Sequence, residues 1–593
     1  MKRTPKGRLE LTWMGKDSAL VPVEDGKYDY AWVDPADPRA REVKSIEVLE
    51  KFGETNGPTG ANENLVIIGD SGDALRSLGT VPEYHDKYAG QVKLVYIDPP
   101  FNTEKTFEHY SDQLEHSIWL TMMRDRIRDI KPLLAPDGSV WVHLDHSEVH
   151  RMRVLLDEEF GPECFVSSVV WRSADTGNYD DARFSNDHNT ILVYSLSSAW
   201  SANGLERNAK QSSHYRNPDN DPKGPWFDGN PLGSPNPREN LMYDVVSPQG
   251  KTIQHPPHGW RWQRSTMDRM LQEGSIRFNS EGTRVIYRTY LREQGTLPPS
   301  DLWTDVSETG SNRKAKNELK TLFSLPAKQV FSTPKPESLL RKIITISTNP
   351  GDLVMDFFGG SGATAAVAHK MGRRWVTVEL QRATVDTFLV PRLVRVLDGS
   401  DSGGISQATN REAVSDMLPG ALTPDEAAEF ATRLKKVAAD LEGLDAATIR
   451  RIIQALKTKN MTTKYWSGGG GFTLAKMGPS MYEVDDDDGS VYLSAGATNG
   501  SWSKAIAGQL KFALTPDHPV FCGVRNRQRL AVIDGVADET VVSTVVEHLD
   551  EREKAVIVAK SVLPKASELL QHLSPGSRIK KAPGDMFPNG TVK

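Results

Sequence analysis

The sequence predicts an α/β fold built on a parallel sheet with helices on both faces. Two observations predict it. Short apolar runs recur along the chain and read as buried strands: Leu65 to Ile68, Leu94 to Ile97, Ser139 to Leu144, Leu353 to Met355 and Trp375 to Val378. Stretches of helical apolar spacing alternate with them, as at His116 to Leu134 and Glu148 to Phe160. Acids stand at the ends of several runs: Asp70, Asp98, Asp356 and Glu379. Strand ends of such sheets are where ligands bind.

Two of these acids open motifs, and the first motif is Asp98-Pro99-Pro100-Phe101. The prolines lack N–H donors and fix the backbone, so they end the strand and hold the acid and the ring in one rigid turn. The pieces suit a planar base that carries an amino group. Phe101 can stack on it, while Asp98 and a proline carbonyl accept its two N–H bonds. A plain Asp-Pro turn is the bland alternative.

The second is Asp356-Phe357-Phe358-Gly359-Gly360-Ser361-Gly362-Ala363-Thr364. It follows the strand at Leu353 and opens a helix, where glycines admit close approach and free N–H groups point outward. The Gly-Lys-Ser/Thr element of a phosphate loop is absent. Asp356 instead suits a cationic amine or a hydroxyl, such as the amino-acid end of S-adenosylmethionine. Glu379 ends the next strand, at the spacing where an acid accepts bonds from both ribose hydroxyls. Asp70 is a candidate for the cofactor's adenine amino group, with a Gly-Asp turn as its alternative.

The chain has 593 residues, enough for roughly two to four domains. Hydrophobic residues are 38% and charged residues 25%, the proportions of a soluble globular protein. A net charge of −6 argues against a uniformly basic coat, yet a local basic groove suffices for nucleic acid. Two cysteines, Cys164 and Cys522, fit a reducing cytoplasm and exclude a disulfide scaffold or a Cys-based zinc site. Met1 to Leu9 is basic with no apolar stretch behind it, so it does not read as a signal peptide, and no segment approaches a membrane span.

Between about 171 and 334 periodicity fades, and Trp226, Trp260, Trp262 and Trp303 lie among arginines and lysines. Pro136-Asp137-Gly138 reads as a turn, Ser400 to Ser406 as a linker, Pro424 to Lys457 as helical, and Gly468 to Gly471 as a flexible break. The acidic run Asp485 to Asp488 reads as a solvated loop, within a small C-terminal α/β domain.

Taken in order, these elements resemble DNA amino-methyltransferases of the β class. In that class the Asp-Pro-Pro-aromatic motif precedes the Gly motif, with a target-recognition region between. The chain looks most like the modification (Mod) subunits of type III restriction–modification systems. The matching residues include Gly69-Asp70, Ile97 to Thr103, His116 to Leu120, Met123 to Arg126, Gly259-Trp260-Arg261-Trp262, Asp301-Leu302-Trp303, Lys335-Pro336-Glu337 and Asn349 to Asp352. Gly360 and Ala363 depart from commoner residues but stay small, and Phe101 replaces the commoner Tyr.

The resemblance implies a Rossmann-like methyltransferase sheet, an inserted irregular α+β target-recognition region and a smaller C-terminal α/β domain. It implies this organisation: an N-terminal arm at 1–60, a catalytic half at 61–170, target recognition at 171–334 and an S-adenosylmethionine-binding half at 335–400. A linker with a helical segment at 401–465 and an accessory domain at 466–593 complete it. It implies transfer of methyl from S-adenosyl-L-methionine to N6 of a flipped-out adenine in double-stranded DNA. Asp98, Pro99, Pro100 and Phe101 are then catalytic. Asp70, Lys335, Asp356, Phe357, Gly359, Gly360, Ser361, Gly362, Thr364 and Glu379 are cofactor-binding, and Trp260, Arg261, Trp262 and Arg264 are DNA-recognition candidates. A homodimer and a separate restriction or defence subunit are the expected partners. The alternatives are a single-chain restriction enzyme with a nuclease after residue 400, or a non-catalytic DNA-binding subunit.

Overall fold

The computed structural model describes residues 9–23, 26–102, 115–176, 184–229, 232–414, 418–419, 422–440, 445–485 and 490–586. Met1 to Arg8, Thr103 and Asp486 to Asp488 lie outside the described residues. The chain forms two compact units, one running up to Ser201 and from Ser300 onward, the other Ala202–Pro299.

The first unit is organised by one ten-stranded sheet. Its strands in chain order are β1 (Ile46–Gly53), β2 (Leu65–Ile68), β3 (Val92–Ile97), β4 (Leu134–Leu144), β5 (Phe165–Arg172), β6 (His188–Ser195), β7 (Leu302–Trp303), β8 (Leu353–Asp356), β9 (Arg374–Glu379) and β10 (Gly471–Met477). Across the sheet they run β7-β5-β6-β4-β3-β8-β9-β2-β10-β1. From β4 to β10 every neighbouring pair is parallel. These interior strands are buried on both faces, which is why they read as continuous apolar runs.

The chain leaves β3 for β4 on one side and β8 for β9 on the other. Right-handed crossovers in opposite directions put their helices, His116–Ile130 and Ala363–Lys370, on opposite faces. The carboxyl ends of β3 and β8 therefore open a crevice that no connection crosses. Met355 pairs with Val95, Asp356 with Thr377, and Glu379 with Ile68, so the acids stand along one edge.

Several boundaries differ from the sequence expectation. The segment before residue 60 is not merely an arm. It holds a hairpin, Ala19–Pro22 with Tyr30–Val33, and supplies the edge strand β1. Strand β10, expected in the accessory domain, sits inside the sheet between β2 and β1. Its Phe472 is fully buried, 4.7 Å from the Phe52 ring and 5.9 Å from Trp375. Pro136 to Gly138 lies within β4, as a bulge opposite β3. Gly468, Gly469 and Gly470 form a packed turn with φ of 100°, 108° and 80°. A Cβ on Gly470 would come within 2.7 Å of the His369 ring, whose Nε2–H donates to the Gly469 carbonyl. Glycine there answers to close packing as much as to backbone freedom.

Strands β6 and β7 and the end of β5 come from the expected recognition region, yet they extend the catalytic sheet. Only Ala202–Pro299 is a unit of its own. That unit carries a three-stranded antiparallel sheet ordered Ile276–Phe278, Val285–Tyr290, Trp226–Gly229, beside the helix Arg264–Gln272. The C-terminal part is the expected small α/β domain, with a five-stranded sheet between Ala513 and Lys581. In the chain between β9 and β10, the helices Pro424–Asp440 and Ala446–Ala455 are flanked by a hairpin of Gln407–Ala413 with Thr458–Lys464. Among the described residues no helix is long and apolar enough to cross a membrane.

If β10 is integral to the sheet, Phe472→Ala should lower unfolding stability by about 3–5 kcal/mol. Urea unfolding followed by circular dichroism checks this, and a change below about 1 kcal/mol would place β10 outside the cooperative core.

Candidate active site

A cavity of about 520 Å³ lies at the carboxyl edge of the sheet. Both sequence-predicted motifs line it: Asp98, Pro99, Pro100 and Phe101 from the end of β3, and Asp356, Gly359, Gly360, Ser361 and Thr364 from the end of β8. Glu379 and Lys335 line it too.

The Asp98 turn is braced from behind. The Trp119 indole donates to the Pro100 carbonyl at 2.7 Å. Asn102 takes a left-handed φ of 59° and donates to Glu148 at 2.8 Å. Glu148 is fully buried and also holds His116 and Arg151, the latter at 3.0 Å. A buried carboxylate with these donors is satisfied, so it fixes the residue after Phe101 without cost.

Phe101 is backed by His143, with ring centroids 6.0 Å apart and planes 17° from parallel. The His143 ring is wholly buried between the Tyr96 hydroxyl at 2.9 Å and the Asn189 amide at 3.0 Å. Burial, and then the Lys335 charge, hold its pKa well below the usual histidine value, so the ring stays neutral. Lys335, expected at the cofactor, lines the cavity on the Asp98 side. Its ammonium pairs with Asp98 and stands 5.1 Å over the Phe101 ring.

At the second motif, Asp356 Oδ1 accepts from the Phe358 N–H at 3.0 Å. Its pKa is pushed up to about 7, chiefly by burial; Asp98 and Glu379 add to the rise, against the Thr364 hydroxyl and the Phe358 amide. Gly362 caps the following helix at φ 76°, and Gly360 turns at φ 49°. Glu379 accepts from the Gly360 N–H at 2.8 Å through one oxygen and from Gln381 at 3.0 Å through the other. Its carboxyl is raised by burial, against those amides.

Other sequence-predicted residues fall elsewhere. Asp70 does not line the cavity. It caps the helix Ser71–Thr80 through Gly72 at 2.8 Å, accepts from Tyr30 at 2.9 Å and pairs with Arg126 at 2.6 Å. Burial opposes its charge, but the Arg126 guanidinium and the Tyr30 hydroxyl hold the pKa below the usual value. An acid so fully bonded has no lone pair directed at a nucleobase. Phe357 turns into the core, and Phe358 lines the cavity in its place. Gly362 shapes the turn without lining the cavity.

In Ala202–Pro299, Trp260 is a core residue donating to the Tyr243 carbonyl, and Trp262 packs on Tyr287. Burial makes Trp260 a packing residue, whereas Trp262 stays half-buried against Tyr287. Arg264 starts a helix, pairs with Asp268 and donates to the Asp244 carbonyl at 2.7 Å. Arg261 is exposed. Sequence reasoning missed Tyr28, Ser173, Asn189, Asn312 and Phe331 in the cavity lining. None stands beside a motif in the chain, and only the fold brings them there.

A DNA methylase family model matches residues 92–389, half of the chain. Three curated relatives are similar in sequence. The probable type III restriction-modification enzyme HindVI Mod subunit of Haemophilus influenzae is 26% identical over 61% of this chain and 54% of its own. The type III restriction-modification enzyme EcoP15I Mod subunit of Escherichia coli is 27% identical over 55% and 60%. The type II methyltransferase M.EcaI of Enterobacter cloacae is 28% identical over 49% and 62%. The chain thus spans somewhat over half the length of these relatives. With both of its motifs converging on one cavity inside the matched span, this chain belongs to the DNA methylase family.

Proposed function

We propose that this chain transfers a methyl group from S-adenosyl-L-methionine to N6 of an adenine flipped out of double-stranded DNA, as the modification component of a restriction–modification or phage-defence system. One observation carries the reading: Asp98 and Asp356 end neighbouring strands at the sheet's switch point and face one cavity. One acid then serves the base and the other the donor. The Mod names of the relatives and the Asp at the first motif position favour adenine and a modification role.

The residues fit that donor. Asp356, Glu379 and the Gly359–Gly362 turn offer acids for an amine and a diol beside a helix N-terminus. When bound, the donor supplies an electrophilic methyl on a sulfonium. Adenine N6 is a weak nucleophile because its lone pair is delocalised into the ring. Asp98 and the Pro99 carbonyl accept its two hydrogens and bias the nitrogen towards a tetrahedral shape. The lone pair then forms the N–C bond as the C–S bond breaks, and the N6 proton leaves to Asp98. Positioning and electrostatics do this work. Flipping the base costs a few kcal/mol, and stacking on Phe101 returns about 1–3 kcal/mol. The wall of His143 behind the ring keeps that platform in place. Lys335 supplies the counter-charge to Asp98 while the base is absent. A cytoplasmic homodimer working with a separate restriction subunit belongs to the same reading.

Asp98→Ala should abolish adenine methylation while S-adenosylhomocysteine still binds within about threefold of wild type. Methylation-sensitive sequencing of DNA from cells expressing the chain, together with calorimetry, reads both. Retained methylation in the variant would sink the assignment.

Asp356 has a raised pKa of about 7, so in the ligand-free chain it is largely protonated below neutrality. A cationic amine needs the carboxylate, hence donor affinity should rise about fivefold from pH 6 to about pH 7.5 and fall above about pH 8, where the donor's own α-amine loses its proton. Asp356→Asn should bind weakly and show no such rise. A wild-type affinity that does not change with pH would argue against Asp356 as the ammonium partner.

A further inference from the structure

We propose that Tyr28, delivered by the N-terminal hairpin, contacts the adenosyl end of the methyl donor. The inference rests on the donor reading above and deepens it. Tyr28 lines the cavity although it lies 64 residues before the nearest residue of the family match, counting from 28 to 92. Its ring centroid is 6.4 Å from that of Phe358, with planes 32° apart. Its phenol feels the charge of Glu379.

The geometry follows from connectivity. Both oxygens of Glu379 are fixed by backbone amides, so their remaining lone pairs have set directions for a ribose diol. The base is one bond from the ribose and must lie against whatever flanks Glu379. Aromatic surface there comes from Phe358 with Tyr28, and from Phe331, which lies against Gly360. A flat, apolar wall of this kind accepts a purine face.

The hairpin that brings Tyr28 is built in, not draped. Tyr30, two residues on, pairs with Pro22 across the hairpin and donates to Asp70 at 2.9 Å. Arg126 donates to Asp70 at 2.6 Å and to the Tyr30 hydroxyl at 3.1 Å. Arg124 donates to the Ser18 carbonyl at 2.8 Å, and Trp13 to the Thr121 hydroxyl at 2.8 Å. Arg124 and Arg126 are both buried on the helix His116–Ile130. The same helix that braces the Asp98 turn through Trp119 therefore anchors the donor-side ring. Asp70 acts as a positioning residue, through Tyr30, and does not touch the base itself.

The full chain should be titrated calorimetrically with S-adenosylhomocysteine as wild type, Tyr28→Ala, Tyr28→Leu and Tyr28→Phe, each with a melting curve. Tyr28→Ala should weaken binding at least tenfold and Tyr28→Leu at least fivefold, while Tyr28→Phe stays within twofold. At saturating donor, kcat of Tyr28→Ala should stay within twofold and KM should rise. If Tyr28→Ala melts early, Tyr28→Leu decides, because it keeps apolar bulk in the hairpin. Wild-type affinity in Tyr28→Leu overturns the proposal, with the donor reading intact. A wild-type chain that binds no S-adenosylhomocysteine overturns the donor reading and this assignment with it.

Discussion

The site depends on the pairing of β3 with β8. These two strands are neighbours in the sheet but far apart in the chain, and Val95 opposite Met355 sets their register. That register brings Asp98 and Asp356 to one edge. A slip by one residue would turn every side chain of the strand to the other face and separate the two acids. Each strand tip then depends on its own backing: Trp119 and the Glu148 hub behind Asp98, and the Thr364–Phe358 bonds around Asp356.

The motif tips were legible in the sequence because a buried strand ending in an acid and a turn is a local signal. Asp98 to Phe101 and Asp356 to Thr364 needed only neighbours in the chain to be read. Their supports did not announce themselves. Trp119 and His143 look like ordinary core residues, and they are; what they add is contact with Pro100 and Phe101. Glu337 is similar. It follows Lys335-Pro336, and the structure shows it as a buried hub for Lys370, Arg392 and the Ile405 amide. That hub ties the helix after Lys335 to the helix after the Gly turn.

Asp70 shows the opposite case. A Gly-Asp at a strand end has the same local pattern as Asp98 or Asp356, so pattern alone cannot separate a ligand acid from a structural one. The difference is Arg126 and Tyr30, which reach it from 56 and 40 residues away in sequence. Trp260 fails for a related reason. Aromatic and basic residues together suggest a nucleic-acid surface, but a small unit such as Ala202–Pro299 must also bury its own core, and large aromatics are how it does so. The inner strand β10 and the edge strand β1 were hidden because sheet order follows long-range pairing rather than chain order.

Electrostatics connects the two halves of the cavity. Asp98, Asp356 and Glu379 gather in one partly desolvated space, and Lys335 meets only the first by direct contact. Burial raises Asp356 and Glu379, so the ligand-free edge carries acids that resist ionising. A cation entering beside Asp356 relieves that resistance, since it stabilises the carboxylate as burial cannot. A neutral base entering beside Asp98 supplies no charge, and there the protein brings its own cation in Lys335. The distribution of charge thus matches a positive donor on the β8 side and an uncharged acceptor on the β3 side.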